Sequence, residues 1–74
     1  MFTIKVVERS SGRPCSGKKV QVFFDGFFRG HTSSQYTDSD GEAHFDYDNG
    51  DGQVYVGSQV AYKGHISGRT VVYI

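Results

Sequence analysis

The chain lacks several features on which large classes of proteins depend. Its single cysteine, Cys15, has no partner within the chain for a disulfide bond. No apolar run approaches the ~20 residues of a membrane-spanning helix, and residues 1–8 alternate in polarity without the apolar core of a signal peptide. These absences favour a cytoplasmic location and no membrane partner. An extracellular location is the alternative if the chain is a domain excised from an exported protein.

An excess of one charge is also missing. Eight Lys and Arg residues balance eight Asp and Glu residues, so the formal net charge is zero. A neutral chain has no overall field to draw it to nucleic acid or to an anionic membrane. The balance therefore favours a protein partner over a nucleic-acid partner.

Helical patterns are absent as well, and what remains is the pattern of strands. No segment repeats apolar residues at helical spacing, whereas short alternating segments recur at intervals of about 8–12 residues. With only 74 residues, the sequence predicts one all-β domain, residues 1–74. Strands are predicted at Phe2–Glu8, Lys18–Phe24, Gln53–Val56, Gln59–Tyr62, His65–Ser67 and Thr70–Ile74, with turns at Asp48–Gly52, Gly57-Ser58 and Lys63-Gly64.

The dipeptide Asp25-Gly26 lies between two aromatic segments and predicts a hairpin with a two-residue turn. Asp-Gly suits this turn because type I′ geometry needs positive φ at both central residues. The turn pairs Phe24 with Phe27, and it pairs Phe23 with Phe28. Because opposite residues share a face of the sheet, one aromatic pair faces the core and the other faces outward.

Asp40-Gly41 predicts a second hairpin for the same reason. Its turn pairs Thr37 with His44 and Tyr36 with Phe45. This register separates apolar side chains from polar ones. We expect Tyr36, Ala43, Phe45 and Tyr47 on the core face, and His44, Asp46 and Asp48 on the solvent face.

The order of these motifs resembles a family of small seven-stranded sandwiches. In that family a first strand leads to a Gly-x-Pro turn and then to a Gly and a Val-rich strand. A Thr-Asp-x-x-Gly hairpin into a strand carrying Phe follows, and then a Gly-containing turn and a further Val-rich strand. The corresponding segments here are Gly12–Pro14, Gly17–Val22, Thr37–Phe45, Gly50–Gly52 and Val54–Val56. The family includes transthyretin-like domains, carboxypeptidase-regulatory-like domains and collagen-adhesin B-type repeats.

The resemblance implies an antiparallel, Ig-like (transthyretin-like) β-sandwich of about seven strands, with a small β-barrel as the alternative. It also implies a scaffold without chemistry of its own. Some family members hydrolyse 5-hydroxyisourate through a His-rich site and a C-terminal Tyr-Arg-Gly-Ser motif. This chain instead ends Val71-Val72-Tyr73-Ile74, so that activity is not expected here.

The aromatic pair that faces outward is the leading candidate for a functional surface. If Phe23 and Phe28 are exposed, they form an apolar patch of the kind that marks an interface. Lys19 and Arg29 would form its polar rim. The sequence thus predicts a non-catalytic structural or protein-interaction module. Self-association is the simplest form, because a two-fold dimer needs only one self-complementary patch.

Two other functions remain open from the sequence. The carboxylates of Asp46, Asp48 and Asp51 are closely spaced and could supply oxygen ligands to Ca²⁺. A barrel with exposed aromatic side chains beside basic ones could stack single-stranded nucleic acid. The histidines at positions 31, 44 and 65 lie at no zinc-motif spacing, and no nucleophile elbow is present. We therefore expect no catalytic residues and no cofactor.

Overall fold

Seven short strands form two facing sheets in the computed structural model, which describes residues 1–26 and 30–74. The strands are β1 (Phe2–Val7), β2 (Lys19–Phe24), β3 (Gln35–Tyr36), β4 (Glu42–Phe45), β5 (Gly50–Val56), β6 (Gln59–Ile66) and β7 (Arg69–Tyr73). One sheet has the order β4-β1-β7 and the other the order β3-β2-β5-β6. The prediction of a small all-β sandwich is confirmed. The described strands form two separate sheets and not the closed barrel that was the alternative.

Among the described strands, every pair is antiparallel except β1 with β7. β1 runs antiparallel to β4, with Ile4 opposite Ala43, and parallel to β7, with Ile4 opposite Thr70. In the other sheet β5 is antiparallel to both β2 and β6. The parallel pair departs from the expected antiparallel sandwich. It is accessible because the chain crosses between the sheets before it enters β7, so no tight hairpin has to join β1 and β7.

Alternate residues of each strand fill the space between the sheets. Both face predictions for the first two strands are confirmed, since Phe2, Ile4 and Val6 are buried, as are Val20, Val22 and Phe24. The rest of the core comes from the partner strands: Ala43, Phe45, Val54, Val56, Ile66 and Val72. The ring of Phe2 stacks on Phe45 at 5.3 Å and meets Phe24 edge-on at 6.1 Å. The contact with Phe24 links the two sheets, whereas Phe2 and Phe45 are neighbours within one sheet.

The predicted hairpin at Asp40-Gly41 is wrong. β3 pairs with β2, with Tyr36 opposite Lys19, whereas β4 pairs with β1 in the other sheet. The turn is therefore a crossover between sheets. Gly41 fixes it against β1: its φ is +77°, and a Cβ there would lie 2.7 Å from the carbonyl oxygen of Val6. Val6 in turn donates its N–H to the Gly41 carbonyl at 2.7 Å.

The face predictions around that turn are correct for five residues and wrong for two, Tyr36 and Tyr47. Ala43 and Phe45 are buried, while His44, Asp46 and Asp48 are exposed. Tyr36 is 66% exposed and Tyr47 36% exposed, contrary to the core positions expected for them. Tyr36 was expected in the core because its strand was paired with β4. β3 is instead a two-residue edge strand that pairs with β2, and Tyr36 lies on its solvent side.

The two-residue turn at Asp25-Gly26 is also wrong. Phe23 forms a bridge with His31, and the N–H of Phe24 donates to the carbonyl of Gly30 at 2.8 Å. The connection after β2 is thus longer than two residues. The predicted partners Phe27 and Phe28 lie outside the described residues.

Two predicted turns are instead parts of strands. β5 begins at Gly50 and includes Gly52, where a turn was expected. Gly52 lies against the carbonyl oxygen of Phe23 so closely that no Cβ fits between the strands. β6 continues through Lys63 and Gly64 to Ile66, so the two strands predicted there are one. Hydrogen bonding to β5 along this whole length explains why one glycine does not end the strand.

Candidate functional site

The outer face of the four-stranded sheet presents aromatic side chains to solvent. Side chains alternate along β2, so Lys19, Gln21 and Phe23 point away from the core. Phe23 is 39% exposed, whereas its neighbour Phe24 is only 8% exposed. Phe23 and Lys19 thus share the solvent face, as the sequence predicted. Phe28 and Arg29, the other two residues of the predicted interface, lie outside the described residues.

Phe23 is the centre of a cluster of three rings. Tyr55 packs edge-on against it with ring centroids 4.9 Å apart, and the imidazole of His31 lies 5.1 Å from it on the other side. We call Phe23, His31 and Tyr55 the aromatic patch. The edge-on contact with Tyr55 adds stability beyond the area that it buries, and the His31 ring is tilted by 39° against Phe23. Phe23 and His31 remain accessible to solvent.

A buried threonine holds the His31 side of the aromatic patch. Thr32 is fully buried, its Oγ1 accepts the N–H of Val22 at 3.1 Å, and the same hydroxyl donates to the Ser33 carbonyl at 2.8 Å. The Gln21 amide donates to the Thr32 carbonyl at 2.8 Å. These bonds tie the segment after Gly30 to β2, so His31 has a defined position beside Phe23.

Two further exposed residues extend this face, and sequence reasoning missed both. Tyr36 lies opposite Lys19, and Val60, which is 49% exposed, lies opposite Tyr55. Tyr36 was missed because its strand was assigned to the wrong partner. Val60 could have been found, since the Gly57-Ser58 turn, which was predicted and is present, sets Val60 opposite Tyr55.

A cleft of about 340 Å³ opens at the end of the molecule where β2 begins and β7 ends. It borders the outer face, because Lys19, Tyr36 and Val60 are among its lining residues. Tyr73 and Ile74 contribute from the other sheet. β6 and β7 are the terminal strands of their sheets in the described part of the chain, so the sandwich is open on this side.

The acidic residues proposed as calcium ligands are all exposed, but they are not brought together as a trio. Asp51 lies in β5, and its Oδ1 is 2.8 Å from His65 Nδ1. Asp46 and Asp48 lie in the connection before β5. Within residues 1–26 and 30–74, the set of acidic, His or Cys side chains whose ligand atoms converge is a different one.

That convergent set is Asp38, Glu42 and His44, with one ligand atom from each lying within 4.8 Å of the others. The turn after β3 and the outer face of β4 position them. The N–H groups of Glu42 and Asp40 donate to Asp38 Oδ1 at 3.0 and 2.9 Å. The bond from Glu42 is the main cause of a lowered pKa at Asp38; partial burial opposes it, and Asp40 and His44 lower the pKa further.

No part of the described chain forms a helix that could cross a membrane. Comparisons of the chain with protein-family models, with curated proteins and with solved structures give no match in any of the three.

Proposed function

We propose that this protein is a non-catalytic structural or protein-interaction module that binds through the outer face of its four-stranded sheet. The observation that carries the proposal is the exposed ring of Phe23, held between Tyr55 and His31 on a face that points to solvent. The solvent face of an antiparallel sheet is ordinarily polar. A cluster of aromatic rings there indicates a surface that becomes covered.

The composition of this face favours a protein partner. Aromatic residues are enriched at the centres of protein interfaces, where a few of them supply most of the binding energy. Phe23 and Tyr55 would lie at the centre of such an interface, with Lys19 and Gln21 beside them as polar neighbours. The resemblance to adhesin and transthyretin-like sandwiches supports the same function, since those domains serve as scaffolds.

We further propose that the partner in the simplest case is a second copy of the chain. A two-fold dimer brings the same patch of both copies together, so Phe23 would pack beside the aromatic patch of its partner. A neutral chain places no net repulsion between the two copies. The dimer therefore needs no additional molecule to cover the rings.

Light scattering over a tenfold concentration range tests the proposal. We expect the mass to rise toward that of a dimer, and Phe23→Ser to restore the monomer mass. The matched control is Val71→Ser on the opposite sheet, because Val71 has the same 39% exposure as Phe23. A Phe23→Ser variant that folds and associates like the parent would contradict the proposal.

The nucleic-acid alternative predicts a different result. Binding of a single-stranded oligonucleotide through stacked aromatic rings and lysines would weaken steeply with salt. We expect no binding of oligothymidylate at low salt. Salt-dependent binding that Phe23→Ser abolishes would replace the protein-interaction proposal with the nucleic-acid one.

A further inference from the structure

The trio Asp38, Glu42 and His44 lies in the crossover turn and on β4 of the three-stranded sheet, and one ligand atom of each side chain converges on the same region. His44 Nε2 is 3.7 Å from Asp38 Oδ2 and 3.9 Å from Glu42 Oε1. These separations exceed a hydrogen bond, so no proton is shared closely between the atoms. Three ligands about 2.1 Å from a tetrahedral zinc ion lie roughly 3.4 Å from one another. The two separations from His44 Nε2 are slightly longer, and all three atoms lie within 4.8 Å of one another.

Each of the three side chains uses its other heteroatom to bind a group that is not one of the three converging atoms. His44 Nδ1 lies 2.8 Å from Thr3 Oγ1. Glu42 Oε2 lies 2.8 Å from Arg69 Nη2. Asp38 Oδ1 accepts the two backbone N–H groups of its turn. The atoms left over are therefore the three that converge.

The contact with Thr3 also holds the imidazole in a fixed orientation, with Nε2 towards the two carboxylates. When Nδ1 carries the proton and donates it to Thr3 Oγ1, Nε2 presents its lone pair to the two carboxylates. A lone pair that faces two carboxylates is unfavourable, and either a proton on Nε2 or a metal cation between the three groups relieves the repulsion. Outer hydrogen bonds of this kind orient ligating histidines in protein metal sites.

We propose that Asp38, Glu42 and His44 form a binding site for a divalent transition-metal ion of the zinc class. One imidazole nitrogen and two carboxylate oxygens are a ligand set that suits zinc, whereas calcium prefers six to eight oxygens. Water completes the coordination, because the imidazole and Asp38 are largely exposed. The ion would link the sheet-crossing turn to the outer face of β4 and would thereby stabilise the folded state.

Isothermal titration with ZnCl₂ in a non-chelating buffer near neutral pH tests the site. We expect one equivalent of zinc to bind and the melting temperature to rise with zinc and return to its starting value with EDTA. His44→Ala should weaken binding by about tenfold or more, in line with the loss of one of three ligands. The control is His65→Ala, because His65 also contacts a carboxylate, that of Asp51, but belongs to no trio.

A second pair of measurements separates a metal ligand from a residue needed only for folding. Glu42→Gln keeps the shape of the side chain and should also weaken zinc binding. Thr3→Val removes the partner of Nδ1 and should weaken it by about tenfold while the zinc-free protein stays folded. The ¹⁵N shifts of the His44 ring should show zinc on Nε2 and a proton on Nδ1.

Several outcomes would overturn the proposal. They are no zinc binding at millimolar ZnCl₂, equal zinc affinity in the parent and in folded His44→Ala, or a loss of zinc affinity in His65→Ala and not in His44→Ala. Because the aromatic patch plays no part in these variants, failure of the zinc site leaves the dimer test unaffected.

Discussion

The two outer faces of this sandwich differ in the side chains that they expose to solvent. On the three-stranded sheet, outward side chains bind one another, as in the Arg69–Glu42 ion pair and the contact of Thr3 with His44. On the four-stranded sheet, Phe23 and Tyr55 present rings that neighbouring side chains only partly cover. The first face combines this polar network, which holds the one convergent set of ligand atoms in residues 1–26 and 30–74, with the exposed side chains of Val71 and Tyr73. The second presents aromatic rings beside Lys19 and Gln21, and it is the surface that we propose for a protein partner.

The largest effect on stability is expected from disrupting the close approach of β5 to β2, the two strands that carry Tyr55 and Phe23. Gly52→Ala would place a Cβ against the Phe23 carbonyl, between β2 and β5. The backbone of Phe23 cannot move away without separating the two strands. We expect a loss of about 3 kcal/mol in the free energy of unfolding. The control Gly57→Ala meets open space and should cost about 1 kcal/mol, for its positive φ alone. Urea unfolding measures both, and equal losses would contradict the close approach at Gly52.

An intermediate effect is expected at Thr32, which positions His31 in the aromatic patch. Thr32→Val keeps the shape but leaves the buried N–H of Val22 without its acceptor, at a cost of about 2 kcal/mol. Thr32→Ser retains the hydroxyl and should preserve the hydrogen bonds. If Thr32→Val is as stable as Thr32→Ser, the buried hydroxyl does not hold this segment.

The smallest effect on stability is expected at Asp38, in the turn before β4. Backbone N–H groups hold the pKa of Asp38 below its ordinary value of 3.8, so the folded state favours the carboxylate. Its contribution to stability is fully present above that ordinary value and is lost as pH falls through the lowered pKa. Between pH 7 and pH 3, Asp38→Asn should therefore lose less stability than the parent, as measured by urea midpoints. An identical loss in both proteins would show that Asp38 has no part in the acid sensitivity.

Local alternation was enough to predict the fold class and much of the core. The buried faces of β1 and β2 follow directly from the period-two pattern at Ile4 and Val20. The same pattern placed Phe23 and Lys19 on the solvent face, because two neighbouring residues of a strand cannot both face the core.

Pairing partners could not be predicted in the same way, because they depend on contacts distant in the sequence. Asp40-Gly41 carries the signal of a hairpin, but Gly41 is required by its contact with Val6, 35 positions earlier. The convergence of Asp38 with His44 depends on that same crossover turn, so the histidine spacing alone gave no sign of it. Turn residues indicate the local backbone conformation, but they do not indicate which sheet the next strand joins.

The central claim, that the aromatic face and not the polar face meets a partner, is tested most directly by ¹⁵N amide chemical shifts recorded at increasing protein concentration. We predict that the amides of Gln21, Phe23 and Tyr55 shift with concentration while those of Lys5 and Val71 stay fixed. Shifts confined to Lys5 and Val71, or no shift anywhere at the highest concentration, would contradict it.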